Sequence, residues 1–193
     1  DLMLLDPPET DSEGNTRAFT IASAPSEEHL MVVTRLRDTA FKRVLMRMPF
    51  GTMVNIEGPF GNLTLPESSA RPLVLLAGGI GITPFRSMLV QASMHPLPYR
   101  LVLIYSNRHP EDAPFLHELQ DLQRKIPRYT FVGTMTQLEE SDGSWNGETG
   151  YLGHAMLTRH LQGIKSPLYF IVGPPAMVKG IRTMLKNVGV GKA

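Results

Sequence analysis

The sequence predicts an α/β protein in two parts. Residues 1–66 read as a small antiparallel sheet or barrel, and residues 67–193 as a doubly wound parallel sheet with helices on both faces. Three observations predict this. Before residue 66, short alternating stretches are separated by turn residues. After Pro72, apolar runs of strand length alternate with amphipathic stretches of helix length, as right-handed β–α–β crossovers require. Between 73 and 88 (LVLLAGGIGITPFRSM), a strand passes through glycines directly into a helix.

In the first part, residues 1–5 (DLMLL) have strand character and 6–16 form a polar loop. RAFTIAS (17–23), LMVVTRL (30–36) and MVNIE (53–57) read as strands, and 39–48 as a helix with Phe41, Val44, Leu45 and Met48 on one stripe. A polar, proline-flanked stretch at 66–72 is the expected domain boundary. In the second part the expected strands are 73–77, 100–105, 129–133 and 168–172. The expected helices are 84–94, 114–125, 154–161 and a last one opened by Gly173-Pro174-Pro175 and running to Lys186. A polar loop covers 137–149.

The glycine turn carries the chemistry. Gly78, Gly79 and Gly81 allow sharp turning and close approach of a ligand. Thr83 suits an N-cap, and Pro84 suits the first helical position, where its missing N–H costs nothing. Free N–H groups and the helix dipole at such a start attract an anion such as a pyrophosphate. The spacing is not G-x-G-x-x-G, because Pro84 stands at the third glycine, and no P-loop lysine is present. From these residues alone, a tight connection that binds nothing stays open. In a doubly wound sheet, ligands sit beyond the strands' C-terminal ends. The Gly78 turn, Ser106-Asn107-Arg108, Thr134 and the Gly173 turn are therefore expected to line one crevice.

Bulk properties exclude several classes. The net charge of +1 gives no nucleic-acid signature, and the absence of cysteine excludes disulfides, thiolate zinc sites and a cysteine-held iron–sulfur cluster in this chain. The six histidines lack metal-site spacing, no apolar run approaches a membrane span, and no signal-peptide pattern is present. A cytoplasmic location is the matching expectation.

Three segments in register resemble the ferredoxin–NADP⁺ reductase superfamily, in the manner of stand-alone NAD(P)H-dependent flavin reductases. They are Arg17-Ala18-Phe19-Thr20, then Gly78-Gly79-Ile80-Gly81-Ile82-Thr83-Pro84, then Val172-Gly173-Pro174-Pro175-Ala176-Met177. The stretch from Tyr105-Ser106-Asn107-Arg108 to Phe115-Leu116 is also similar to this family. The resemblance implies a Greek-key flavin-binding barrel over 1–66 and an NAD(P)-binding α/β domain over 67–193. Against the family's pattern, strands are short before Arg17 and a last strand is short after Val190, so both domains are expected to be partial.

The resemblance also implies roles. Arg17 neutralises flavin phosphate, as a guanidinium fork suits phosphate oxygens. Phe19 packs on the isoalloxazine, and Thr20 hydrogen-bonds near the flavin N5, with Ala22 and Ser23 continuing the cofactor strand. Lys42 stands where the family often has a phosphate-binding hydroxyl. Gly78, Gly79, Gly81 and Pro84 form the nucleotide pyrophosphate turn, and Thr83 lies near the nicotinamide carboxamide. Thr20 and Thr83 are thus the two residues at the reacting rings. Gly173, Pro174, Pro175 and Met177 close the crevice, with Val172 where the family usually has cysteine. Ser106 and Arg108 replace the ribose-binding carboxylate of NAD-selective folds, which favours NADPH over NADH, unless Arg108 pairs with Glu111 or Asp112. The implied flavin is FAD, with FMN as the alternative. The implied acceptor is a ferredoxin, a flavodoxin, an oxygenase or haem component, or a small molecule. The rival reading is a non-catalytic nucleotide-binding or electron-transfer module with an incomplete flavin site.

Overall fold

The computed structural model describes residues 1–66, 68–141 and 144–191. Glu67 of the expected boundary, Asp142 and Gly143 of the polar loop, and the last two residues lie outside it.

The second part is built as its alternation predicts. Strands β4 (Leu73–Gly78), β5 (Leu101–Asn107), β6 (Tyr129–Met135), β7 (Glu148–Thr149) and β8 (Leu168–Val172) form one parallel sheet in the order β7-β6-β5-β4-β8. The chain steps outward from β4 to β7, then returns to place β8 on the other side of β4. The strand order therefore reverses at the β4–β8 boundary, where open α/β sheets form their ligand crevice.

Successive residues of β4 and β5 feed opposite cores, as a period of two demands. Leu73, Leu75, Ala77, Leu101, Leu103 and Tyr105 pack beneath α2 (Thr83–Met94) and α3 (Leu116–Asp121). Val74, Leu76, Val102 and Ile104 pack beneath α4 (His154–His160) and α5 (Pro175–Asn187). Every residue of β4 is buried, which accounts for its unbroken apolar sequence. The helix expected over 114–125 is shorter and ends in a 3₁₀ turn at Leu122–Arg124.

The first part departs more from its pattern. Strands β1 (Leu2–Leu4), β2 (Thr16–Arg17) and β3 (Val54–Ile56) pair antiparallel in the order β2-β1-β3. Of the expected strand 17–23 only Arg17 enters a ladder, as the end of β2, and beyond it 17–23 and 30–36 touch through a single bridge, Ile21 to Val32. Alternation there reflects sidedness, but extended segments without a continuous hydrogen-bonding partner are not sheet. Helix α1 (Ala40–Arg47) forms as its spacing predicts. Thr39 caps it by accepting from the Lys42 N–H at 3.4 Å, and Phe41 and Val44 form a small core with Leu4.

Leu103 is fully buried in β5. Leu103→Ala is expected to destabilise the chain by about 2–5 kcal/mol, read as a lower urea midpoint at unchanged slope.

Candidate functional site

The glycine turn is a 3₁₀ turn, Gly79–Ile82, leading without a break into α2. This corrects the expected cap. The residue before α2 is Ile82, no side chain caps the helix, and the Thr83 hydroxyl instead donates back to the Ile80 carbonyl at 3.2 Å. Thr83 and Pro84 are both buried.

The glycines are required chiefly by the protein itself. A Cβ on Gly81 would lie 2.6 Å from the Val172 carbonyl oxygen and 2.8 Å from the Gly173 nitrogen. A Cβ on Gly173 would lie 3.1 Å from the Gly78 nitrogen, and the Met177 sulfur fills the space beside Gly78. The turns ending β4 and β8 are thus in backbone contact, which only glycine permits. Met177 plugs this joint from within. Gly79 alone has positive φ, at +54°, and its open side faces the Arg35 guanidinium.

Arg35 was not singled out by the sequence. Its strand-like context, Thr34-Arg35-Leu36, carries no motif, and only the fold brings it to the turn. Its neighbour Thr34 reaches a second cluster, accepting a hydrogen bond from the Lys42 ammonium. That ammonium lies 4.6 Å from the Phe19 ring centre, Phe19 lies 5.9 Å from Phe41, and the Arg17 guanidinium lies 5.1 Å from the Phe41 ring. The fold therefore gathers Arg17, Phe19 and Lys42. Arg17 is also held by Asp11 at 2.9 Å, by Glu13 at 3.0 Å, and by the carbonyls of Glu13, Gly14 and Thr16. Burial, and then the charges of Arg17 and Arg37, hold the Lys42 ammonium below its ordinary pKa. A nearby anion would reverse the part due to charge.

Other residues fall differently. Thr20 is exposed, whereas Ala22 and Ser23 are buried. The Ser23 hydroxyl accepts from the Met31 N–H at 2.9 Å and its carbonyl accepts from the Ser87 hydroxyl at 2.7 Å, so this pair lies in the seam between the two parts. Ser106 is half-buried at the end of β5, and Arg108 is exposed and makes no ion pair among the described residues. Between them the buried Asn107 amide has no hydrogen-bond partner on either atom. Thr134 does not line the crevice. It is wholly buried and donates to the Gly150 carbonyl at 2.7 Å. Gly173 is half-buried, while Pro174 and Pro175 are exposed where α5 begins.

An open concavity of about 1380 Å³ lies elsewhere, beside the β6–β7 edge, lined by Phe131, Trp145, Glu148 and His160 among others. Its described carboxylates are partnered, Glu148 with Arg159 and His160, Asp121 with Arg124, and Glu111 with the Ser141 hydroxyl. Among the described residues no three His, Asp or Glu side chains cluster to hold a metal.

Fold and site together define a protein with a doubly wound sheet of the dinucleotide-binding kind, whose glycine turns meet at the switch point with the Arg35 guanidinium against them. The chain belongs to the oxidoreductase NAD-binding domain family, which it matches over residues 75–183, and through it to the ferredoxin–NADP⁺ reductase superfamily. It is 32% identical over 178 residues to ferredoxin–NADP reductase B of Sorangium cellulosum, covering 89% of this chain and 72% of that protein. It is 29% identical over 184 residues to the glycine betaine monooxygenase reductase subunit of Chromohalobacter salexigens, covering 94% of this chain and 50% of that one. The fold matches flavohemoglobin of Malassezia yamatoensis with a TM-score of 0.76 at 21% identity, over 95% of this chain and 47% of that one. The chain spans about half the length of several relatives it matches.

Gly81→Ala is expected to force the β4 and β8 turns apart, costing about 1–3 kcal/mol. Urea unfolding and nucleotide titration of the same variant should report the stability and affinity losses together.

Proposed function

We propose that this chain is the catalytic part of an NAD(P)H-dependent flavoprotein reductase. The observation that carries the reading is the Thr34-Arg35 step. Thr34 touches the Lys42 cluster and Arg35 covers Gly79, so two anion-attracting sites lie one residue apart along the chain. A reductase needs this arrangement, because its two cofactors must meet ring to ring while each is anchored by its phosphates.

The residues fit both groups. The Arg35 guanidinium lies against Gly79, so the turn that a pyrophosphate would approach carries a cation. Arg17 and Lys42 provide the second anion site, with Phe19 as the aromatic surface beside it. FAD held at Lys42, Arg17 and the Phe19 face would supply the redox chemistry, taking up hydride from the reduced nicotinamide and releasing electrons singly or in pairs. The protein supplies positioning and charge. Arg17, Lys42 and Arg35 hold phosphates, and Thr20 presents its hydroxyl at the flavin. Thr83, whose hydroxyl is tied to Ile80, sets the floor on the nicotinamide side. No side chain has to move a proton at the reacting carbon.

The exposed Arg108 beside Ser106 favours NADPH, since both suit a 2′-phosphate. Arg108→Ala is expected to weaken NADPH binding about tenfold or more, the size of one charge-assisted hydrogen bond, with NADH binding unchanged. Equal losses for both nucleotides would remove Arg108 from the ribose site.

The acceptor is proposed by kinship. The Chromohalobacter relative is a monooxygenase reductase subunit and the Sorangium relative is a ferredoxin reductase, so an oxygenase component or a ferredoxin is the matching partner class. No helix among the described residues is long and apolar enough to cross a membrane, which accords with a cytoplasmic setting. The deciding experiment is anaerobic titration of the FAD-loaded chain with NADPH and then NADH. Bleaching of protein-held flavin supports the reductase. Nucleotide binding without flavin retention favours the nucleotide-binding module.

A further inference from the structure

Arg86 sits on α2, one turn beyond Thr83, and is 5% exposed. All five of its N–H groups are used. Nε donates to Glu118 at 2.9 Å, and one terminal nitrogen donates to the Ala22 carbonyl at 3.0 Å and to Glu27 at 2.6 Å. The other terminal nitrogen donates to Glu27 at 2.9 Å and to Glu118 at 2.7 Å. The guanidinium also lies 4.9 Å from the Phe115 ring centre, and Phe115 is held at φ +61° before α3. A non-glycine residue in that region costs energy and persists only where its surroundings fix it.

The two carboxylates belong to different parts of the protein. Glu118 is on α3, within the nucleotide domain. Glu27 belongs to the segment that follows Thr20, and it also accepts from the Ala24 N–H at 2.6 Å. That segment is stitched to α2 again by Ser87 to the Ser23 carbonyl and by the Ser26 N–H to Gln91 at 3.2 Å. Arg86 thus reads the position of the 22–27 segment on one arm and of α3 on the other, through two forked, directional contacts.

We infer that Arg86 is a positioning residue that sets the spacing between the flavin and nicotinamide rings, acting through Glu27. The inference rests on the reductase reading above. Ala22, to which Arg86 bonds, is two residues from Thr20, about 7 Å of extended chain. Thr83 is three residues from Arg86, about 4.5 Å of helix rise. Among the described residues, Ser87 and Gln91 also bond α2 to the 22–27 segment, but of the three only Arg86 bonds α3 as well. A buried cation with two carboxylates is a poor source of net stability compared with apolar packing, but its geometry is exacting. Hydride transfer is sensitive to such geometry, since a 1 Å displacement costs about a hundredfold in rate.

The test compares two variants that remove the same charge from the same guanidinium. Glu27→Gln cuts the arm that crosses the seam, and Glu118→Gln cuts the arm inside the nucleotide domain. Each is made in the full chain, loaded with FAD and saturated with NADPH. FAD affinity, thermal midpoint, the long-wavelength flavin–nicotinamide charge-transfer absorbance and the anaerobic bleaching rate are measured. Glu27→Gln is expected to lose the charge-transfer band and bleach about tenfold slower or worse, with FAD affinity within about threefold of the parent. Glu118→Gln is expected to lower the thermal midpoint while band and rate stay within about threefold. Equal loss of band and rate in both variants, in proportion to stability, overturns the inference, as does a parental band and rate in Glu27→Gln. A parent chain that holds FAD but is not bleached by either nucleotide overturns the reductase reading, and this inference with it.

Discussion

The structure depends on one close contact, the backbone of the β4 turn against the backbone of the β8 turn. The Val172 carbonyl and Gly173 nitrogen occupy the space that a side chain on Gly81 would need. This contact fixes where β8 sits beside β4, and hence where the strand order reverses. The crevice is thus a product of packing before it is a product of ligand binding. Of the three glycines in the β4 turn, two serve the joint and only Gly79, with its positive φ, faces a charged group from the other part of the molecule.

Electrostatics then organise the seam. Cations gather on the side of α1, where burial, and then the charges of Arg17 and Arg37, depress the Lys42 ammonium. Arg43 is paired with Glu9 and Asp38, and Arg17 with Asp11 and Glu13, whereas Lys42 has no carboxylate partner among the described residues. On the other side of the seam, Arg86 is fully matched. Its hydrogen bonds hold the Glu27 carboxyl below its ordinary range, and the two carboxylates keep the guanidinium charged. One region keeps an ammonium without a carboxylate and the other matches its guanidinium with two, which separates a place for ligands from a place for fixed structure.

The nucleotide domain was legible in the sequence because its strands are buried on both faces and its helices have one apolar stripe. Strands 73–78 and 168–172 stand within a residue of their expected ends. The first part was less legible. RAFTIAS and LMVVTRL alternate as strands do, yet they share one bridge, because sidedness is written locally and pairing is not. Thr83 had the composition of an N-cap, but the 3₁₀ turn before it supplied the helix start and left its hydroxyl to bond backward. Arg35 and Arg86 were missed for one reason. Arg35 stands in an extended segment and Arg86 on a buried helix, neither within a motif, and their meaning lies in partners 44 residues away at Gly79, or 59 and 32 residues away at Glu27 and Glu118. The one local hint was Arg86 itself, set among Phe85, Met88 and Leu89 on a helix with a broad buried face.

Strand β8 pairs with β4 along one edge and with no other strand among the described residues. Its sequence, Leu-Tyr-Phe-Ile-Val, consists of strong β-formers without a charge, and all five residues are half-buried. Leu168, Phe170 and Val172 pack against the core beneath α2 and α3, and Tyr169 and Ile171 against the core beneath α4 and α5. Strand β8 is therefore gripped from both faces as well as by its ladder to β4. A disturbance in either core reaches the Gly173 turn through this one strand, so substitutions far from the crevice can alter its shape.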